Sequence, residues 1–180
     1  MESLGEILKN KQIMTSDFLP KDYEVPEAPS NYMKFQEGEN RFRILSSAIT
    51  GYEYFNKDNK PVRSKEAPES TPSDIKKDGK VKPFWAFPVW NYQAKVIQVL
   101  ELTQKGIMVY IKTLTNNPKW GSPFLYDICV TKSGEGLETK YSTVAEPPIG
   151  EPSDEVKNAF MEKPVSLGAL FVNEDPFLKP

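Results

Sequence analysis

Proline is what most limits this chain. Sixteen prolines against ten glycines are spread along 180 residues, and each fixes its backbone φ at about −65° and removes a donor. Long helices are therefore excluded, and the chain is expected to fold as short extended segments joined by long loops, a mainly β protein. A length of 180 residues suits one domain of ordinary size with extensions, and a hydrophobic share of 38% beside a charged share of 27% is an ordinary balance for a folded chain. No run approaches the roughly 20 apolar residues of a membrane span, and residues 1–10 lack a signal-peptide core, so a soluble protein of the cytoplasm, without membrane contact, is expected. Cys129 is the single cysteine and stands between Ile128 and Val130, which reads as a small buried thiol.

Histidine is absent. That removes Ser-His-Asp, Cys-His and histidine-metal chemistry together. Mg²⁺ held by carboxylates alone would need clustered acids, whereas the acidic residues are scattered singly and form no D-x-D pair. The expectation is a protein that is not an enzyme, with no catalytic residue, no metal and no cofactor.

Charge is segregated. Residues 1–29 carry a net −3, residues 30–145 a net +5 and residues 146–180 a net −4, within a total of −2. A basic centre attracts phosphate by counterion release, while acidic flanks fold back over that surface or recruit partners.

Three segments follow from this reading: an extended N-terminal arm over residues 1–31, with a short helix over 2–10; a nucleic-acid-binding domain over 32–147; and an acidic, proline-containing tail over 148–180, with a short helix over 154–161. Inside the domain, strands are predicted over 32–35 and 41–46 around a glycine-containing turn, and another over 51–56. In the second strand Phe42 and Ile44 face one way and Arg41, Arg43 and Leu45 the other. Residues 57–82 contain eight Lys/Arg and almost no apolar side chains, the composition of a long mobile loop. The strongest strands are 84–92 and 94–103, a hairpin turning at 91–93. A helix over 104–115 places Ile107, Ile111 and Leu114 at helical spacing and is stopped by Asn116-Asn117-Pro118. Trp120 reads as a cap on the barrel end, and strands 126–132 and 138–145 flank the glycine-rich turn of residues 133–137. Five strands with a helix between the third and fourth is the order of an OB-fold-like β-barrel; an antiparallel sandwich crossed by one helix fits the same order.

Single-stranded nucleic acid is held by positive charge along its backbone and by aromatic faces that stack on its bases. Both occur here in the same segments. Arg41 and Arg43 share one strand face, Tyr52 and Tyr54 share another, and a lysine-rich loop leads into the aromatic strand from Phe84 to Tyr92. Of Trp85/Phe87 and Trp90/Tyr92, one pair lines the core and the other faces a ligand. The candidate nucleic-acid-binding residues are Lys34, Arg41, Arg43, Tyr52, Tyr54, Lys57, Lys60, Arg63, Lys80, Lys82, Phe84, Trp85 and Phe87. Arg41 and Arg43 could instead pair with Glu37 or Glu53, and any one aromatic could be core. The competing classes are a protein-interaction adaptor of a replisome or virion using the same aromatic surface, and a nuclease built on Asp74, Asp78 or Glu101.

Two blocks carry a family likeness: Asn31-Tyr32-Met33-Lys34-Phe35-Gln36-Glu37-Gly38-Glu39-Asn40-Arg41-Phe42-Arg43-Ile44-Leu45, and Phe84-Trp85-Ala86-Phe87 running through Val96-Ile97-Gln98-Val99-Leu100-Glu101-Leu102-Thr103-Gln104-Lys105. With Asn117-Pro118-Lys119-Trp120-Gly121 and Tyr126-Asp127-Ile128, the chain resembles tailed-phage single-stranded DNA-binding, replication-associated proteins over about residues 20–147. The resemblance implies an OB-fold, single-stranded DNA as partner, a role in bacteriophage DNA replication or DNA recombination, and replication or recombination proteins met through the acidic C-terminal tail, where Asp175-Pro176-Phe177 is similar to a partner-recruiting tip. Some relatives in that class use zinc; without histidine and with one cysteine, this chain is expected to be metal-free.

Overall fold

The computed structural model describes residues 18–27 and 30–177; the helix expected over residues 2–10 lies outside them. In chain order the strands are β1 Gly38–Ile44, β2 Ile49–Phe55, β3 Pro61–Ser64, β4 Lys82–Asn91, β5 Val96–Leu102, β6 Asp127–Ser133 and β7 Lys140–Ala145. Helix α1, Lys105–Thr115, lies between β5 and β6 in sequence, and helix α2, Asp154–Glu162, follows β7. The protein is mainly β, and every pairing between these strands is antiparallel.

Strand β4 organises the sheet. One of its edges pairs with β5 from Trp85 opposite Leu102 to Asn91 opposite Val96. Its other edge takes two strands in succession, β1 against Val89–Asn91 and β2 against Lys82–Ala86. Pro88 falls between those two pairings, where the chain turns from β1 into β2, so its missing N–H interrupts no ladder. Its carbonyl still accepts from the Leu45 N–H at 3.0 Å. Beyond β1 the sheet continues through β6 to β7, and beyond β2 to β3.

The sheet is not closed into the expected barrel. Of the three free strand edges among the described residues, on β3, β5 and β7, the last two take further hydrogen bonds. Val99 on β5 donates to the Asn31 carbonyl and accepts from the Met33 N–H, each at 2.9 Å, while the Ala145 N–H of β7 donates to the Tyr110 hydroxyl on α1 at 3.1 Å. The contact at Val99 is also what residues 32–35 become: one parallel bridge at Tyr32 instead of a strand. The Asn40 carboxamide closes the following turn, accepting from the Gln36 N–H and donating to the carbonyls of Gln36, Gly38 and Val130.

Alternation gives β4 and β5 two apolar faces, and each has its own core. Phe42, Phe87, Val89, Leu100, Leu102, Tyr126 and Ile128 form the first, closed by Ile107, Ile111 and Leu114 of α1, the helical spacing predicted. Trp120 packs against this core edge-on to Tyr126, at 5.5 Å between ring centroids. The second core lies on the opposite face: Phe84, Ala86, Trp90, Ile97 and Val99 are covered by Val156 of α2, Leu170 and Phe177. Residues 148–177 are thus a packed layer where a tail was expected. Arg43 fastens its entry by donating to the Gly150 carbonyl at 3.0 Å.

Residues 57–82, expected as one long loop, contain β3. The Asn56 carboxamide accepts from the N–H groups of Asp58 and Lys60, and Asn59 adopts a left-handed φ of 59°, which together make the tight turn into β3. Gly51 lets this ribbon approach, because a β-carbon there would stand 2.4 Å from the Ser64 carbonyl oxygen. Among the described residues no helix is long and apolar enough to cross a membrane.

Candidate nucleic-acid interface

The ends of β2, β3 and β4 form a ribbon with two unlike faces. Tyr52 lies opposite Pro83 and Ser64, so Tyr52, Tyr54 and Trp85 share one face. Glu53 lies opposite Lys82 and Arg63, so those three share the other face with Phe55. Tyr52, Tyr54 and Trp85 are all half-buried. The Tyr54 hydroxyl donates to Asp74 at 2.8 Å, and that hydrogen bond holds its pKa above the ordinary tyrosine value.

On the second face, Glu53, Phe55, Lys76, Asp78, Lys80 and Lys82 line a cleft of about 460 Å³. Residues 72–80 fold back to build its wall: the Lys57 N–H donates to the Asp74 carbonyl at 2.8 Å and the Lys76 N–H to the Phe55 carbonyl at 2.9 Å. Phe55 is 37% exposed, with the Lys76 ammonium 5.2 Å from its ring centroid. Lys76, Lys80 and Lys82 are exposed and form no ion pair with a described residue. Behind them Arg63 donates to Glu53 at 2.8 Å and to Glu101 at 3.0 Å. Burial raises the Glu101 pKa, and Arg63 opposes that rise.

The remaining sequence-predicted residues scatter. Arg43 is 1% exposed; its Nε donates to Asp127 Oδ1 at 2.6 Å and its Nη1 to the Phe124 carbonyl at 3.2 Å. Phe84 and Phe87 are 0% and 2% exposed, in the second and first cores. These three present almost no surface to a ligand: Arg43 is enclosed by its partners, and Phe84 and Phe87 by the two cores. The pairs Trp85/Phe87 and Trp90/Tyr92 divide otherwise than expected: Phe87 and Trp90 are buried, one in each core, while Trp85 and Tyr92 pack against the cores half-buried. Arg41, paired with Asp127 and 4.9 Å from the Tyr92 ring centroid, keeps half its side chain open on the β1–β6 face, away from the ribbon. Arg63 is half-buried between its two carboxylates, and Lys34 is exposed beside the arm's contact with β5. Lys57 and Lys60 are exposed at the β2–β3 turn. Pro176 and Phe177 of the expected partner-recruiting tip are buried, with the Lys163 ammonium 4.2 Å from the Phe177 ring centroid.

Phe55 and Lys76 were not among the sequence candidates. Alternation carried the signal for Phe55, since a strand that sends Tyr52 and Tyr54 one way sends Phe55 the other. Nothing local marked Lys76, which reaches the cleft through a bridge between Asn56 and Ile75. Elsewhere, Ile44, Trp85, Phe87, Ile111, Pro123 and Phe124 line an apolar groove of about 500 Å³ beside α1. Among the described residues no three His, Cys, Asp or Glu side chains are grouped to hold a metal. Compared with known proteins, the chain matches no family model, no curated protein and no solved structure.

Proposed function

We propose that this chain binds single-stranded DNA with little sequence specificity, coating it during phage DNA replication or recombination. The observation that carries the reading is the ribbon: an open phenylalanine beside three lysines that form no ion pair with a described residue on one face, and Tyr52, Tyr54 and Trp85 on the other. Lysine supplies sequence-independent attraction to phosphate, and aromatic rings accept any base, at about 1–3 kcal/mol per stacked base. Exposed lysines without partners are the ones that exchange counterions for phosphates.

The connectivity supports a finer reading, an OB-type barrel opened along one seam. Taken together β1 and β2 act as one bent first strand along β4; a β4–β5 hairpin, helix α1 and a β6–β7 hairpin follow, with β6 returning to β1. That is the OB order with the helix between its third and fourth strands, and the missing seam is β5 with β7.

A tryptophan-fluorescence titration with oligo(dT), its ribose equivalent and a duplex tests the function. Saturable binding to oligo(dT) that weakens steeply with salt is expected; no binding to any of the three would end the reading. The apolar groove beside α1 favours a second reading, a replisome or virion adaptor that grips a partner protein through Trp85 and Phe124. Binding of that kind would be far less sensitive to salt.

A further inference from the structure

Glu53 is an unusual residue to find behind a basic cleft. Its side chain is 9% exposed, and Oε2 accepts from Arg63 Nε at 2.8 Å. Oε1 accepts no hydrogen bond from a described residue. Yet the only buried side-chain polar atom left without a partner among those residues is the Tyr126 hydroxyl. Glu53 Oε1 therefore keeps contact with solvent, and the opening that Glu53 lines is the cleft of Phe55, Lys76, Asp78, Lys80 and Lys82.

A carboxylate only accepts hydrogen bonds. In a single strand cytosine and adenine offer an amino donor, whereas the one donor of thymine, N3–H, lies between two carbonyl acceptors, so a fixed carboxylate favours the first two over the third. Arg63 holds the carboxylate in place and offsets its charge, and the three lysines outnumber Asp78, the other carboxylate of the cleft, so the net attraction for phosphate remains. The Lys76 ammonium over the Phe55 ring forms no ion pair with a described residue, so no salt bridge has to break for a base to take its place.

We infer that this cleft is a nucleobase subsite, in which a base stacks on Phe55 and Glu53 Oε1 favours one bearing an amino group over thymine. The inference rests on the single-stranded DNA reading above and adds to it a chemical bias at one position.

The test compares oligo(dC), oligo(dT) and oligo(dC) dimethylated at N4, of equal length and above neutral pH, on the full chain. The unmodified chain is expected to bind oligo(dC) about tenfold more tightly than oligo(dT), one well-placed base contact. Dimethylation, which removes the donor without touching the protein, is expected to abolish that ratio. In Glu53→Gln, whose carboxamide can donate or accept, the ratio should fall close to unity, with thermal melting run alongside. Equal binding of oligo(dC) and oligo(dT) by the unmodified chain, or a ratio that survives dimethylation, overturns the subsite and leaves the DNA reading standing. Binding of none of the three overturns both.

Discussion

Asp127 ties side chains of β1 to the end of β4. Its carboxylate accepts from Arg41, Arg43 and the Tyr92 hydroxyl, and Arg43 in turn holds the carbonyls of Phe124 and Gly150. Asp127→Asn leaves the Arg43 charge buried without a counter-charge, so urea unfolding should show a loss of about 3–5 kcal/mol, against about 1 kcal/mol or less for Arg41→Ala. A loss no larger than that of Arg41→Ala would show that the network contributes little. Tyr92 adds a pH signature. Burial, then its hydrogen bond to Asp127, pushes its pKa up from 10.0 to about 12. The folded state therefore holds this proton more tightly than the unfolded one, and its contribution is complete below pH 10 and is lost as pH rises through about 12. Urea midpoints for Tyr92→Phe should fall less steeply across that window than those of the parent chain. At the interface, Phe55→Ala should weaken oligo(dT) binding by about 1–3 kcal/mol with an unchanged salt slope, while Lys80→Ala should make the slope shallower by about one unit. A Phe55→Ala protein that melts normally and binds normally would remove the stacking face. Arg43 shows where residue-level reading stops: its strand face was legible from alternation, but its partner lies 84 positions away, and no local pattern announces such a pair.

At the scale of elements, legibility followed period and length. The β4–β5 hairpin and α1 announce themselves through dense apolar runs and through Ile107, Ile111 and Leu114 at helical spacing, and Asn116 caps the helix where the Asn-Asn-Pro stop predicts. Strand β3 has no such mark. Pro61-Val62-Arg63-Ser64 is short and mostly polar, and it pairs because the Asn56 turn aims it at β2 and because Gly51 leaves room for Ser64. Gly51→Ala should accordingly push β3 away from β2 and cost about 1–3 kcal/mol in thermal or urea unfolding. A neutral substitution would show that the ribbon gives way freely at that point.

Across the whole molecule, the largest departure from expectation is the C-terminal layer. Its acidic, proline-interrupted sequence has the composition of a tail, and what anchors it are isolated apolar residues, Val156, Leu170 and Phe177, too far apart to form a visible period. A chain ending at residue 150 should therefore expose Phe84, Trp90, Ile97 and Val99, bind a hydrophobic dye and unfold at lower urea. Dye-free behaviour at the parent's midpoint would return the segment to the status of a tail. The same layer meets the N-terminal arm on β5, where Asn31 donates to Asp175 at 3.4 Å and Lys163 donates to Asn31 at 3.3 Å, across 144 and 132 positions of sequence. During translation at about 5–20 residues per second, those partners leave the ribosome roughly 7–30 s apart. Trp90, Ile97 and Val99 emerge partway through that interval, and roughly 3–17 s at the same rate separate them from Val156 and Phe177, so for those seconds the nascent chain carries the face of its second core uncovered.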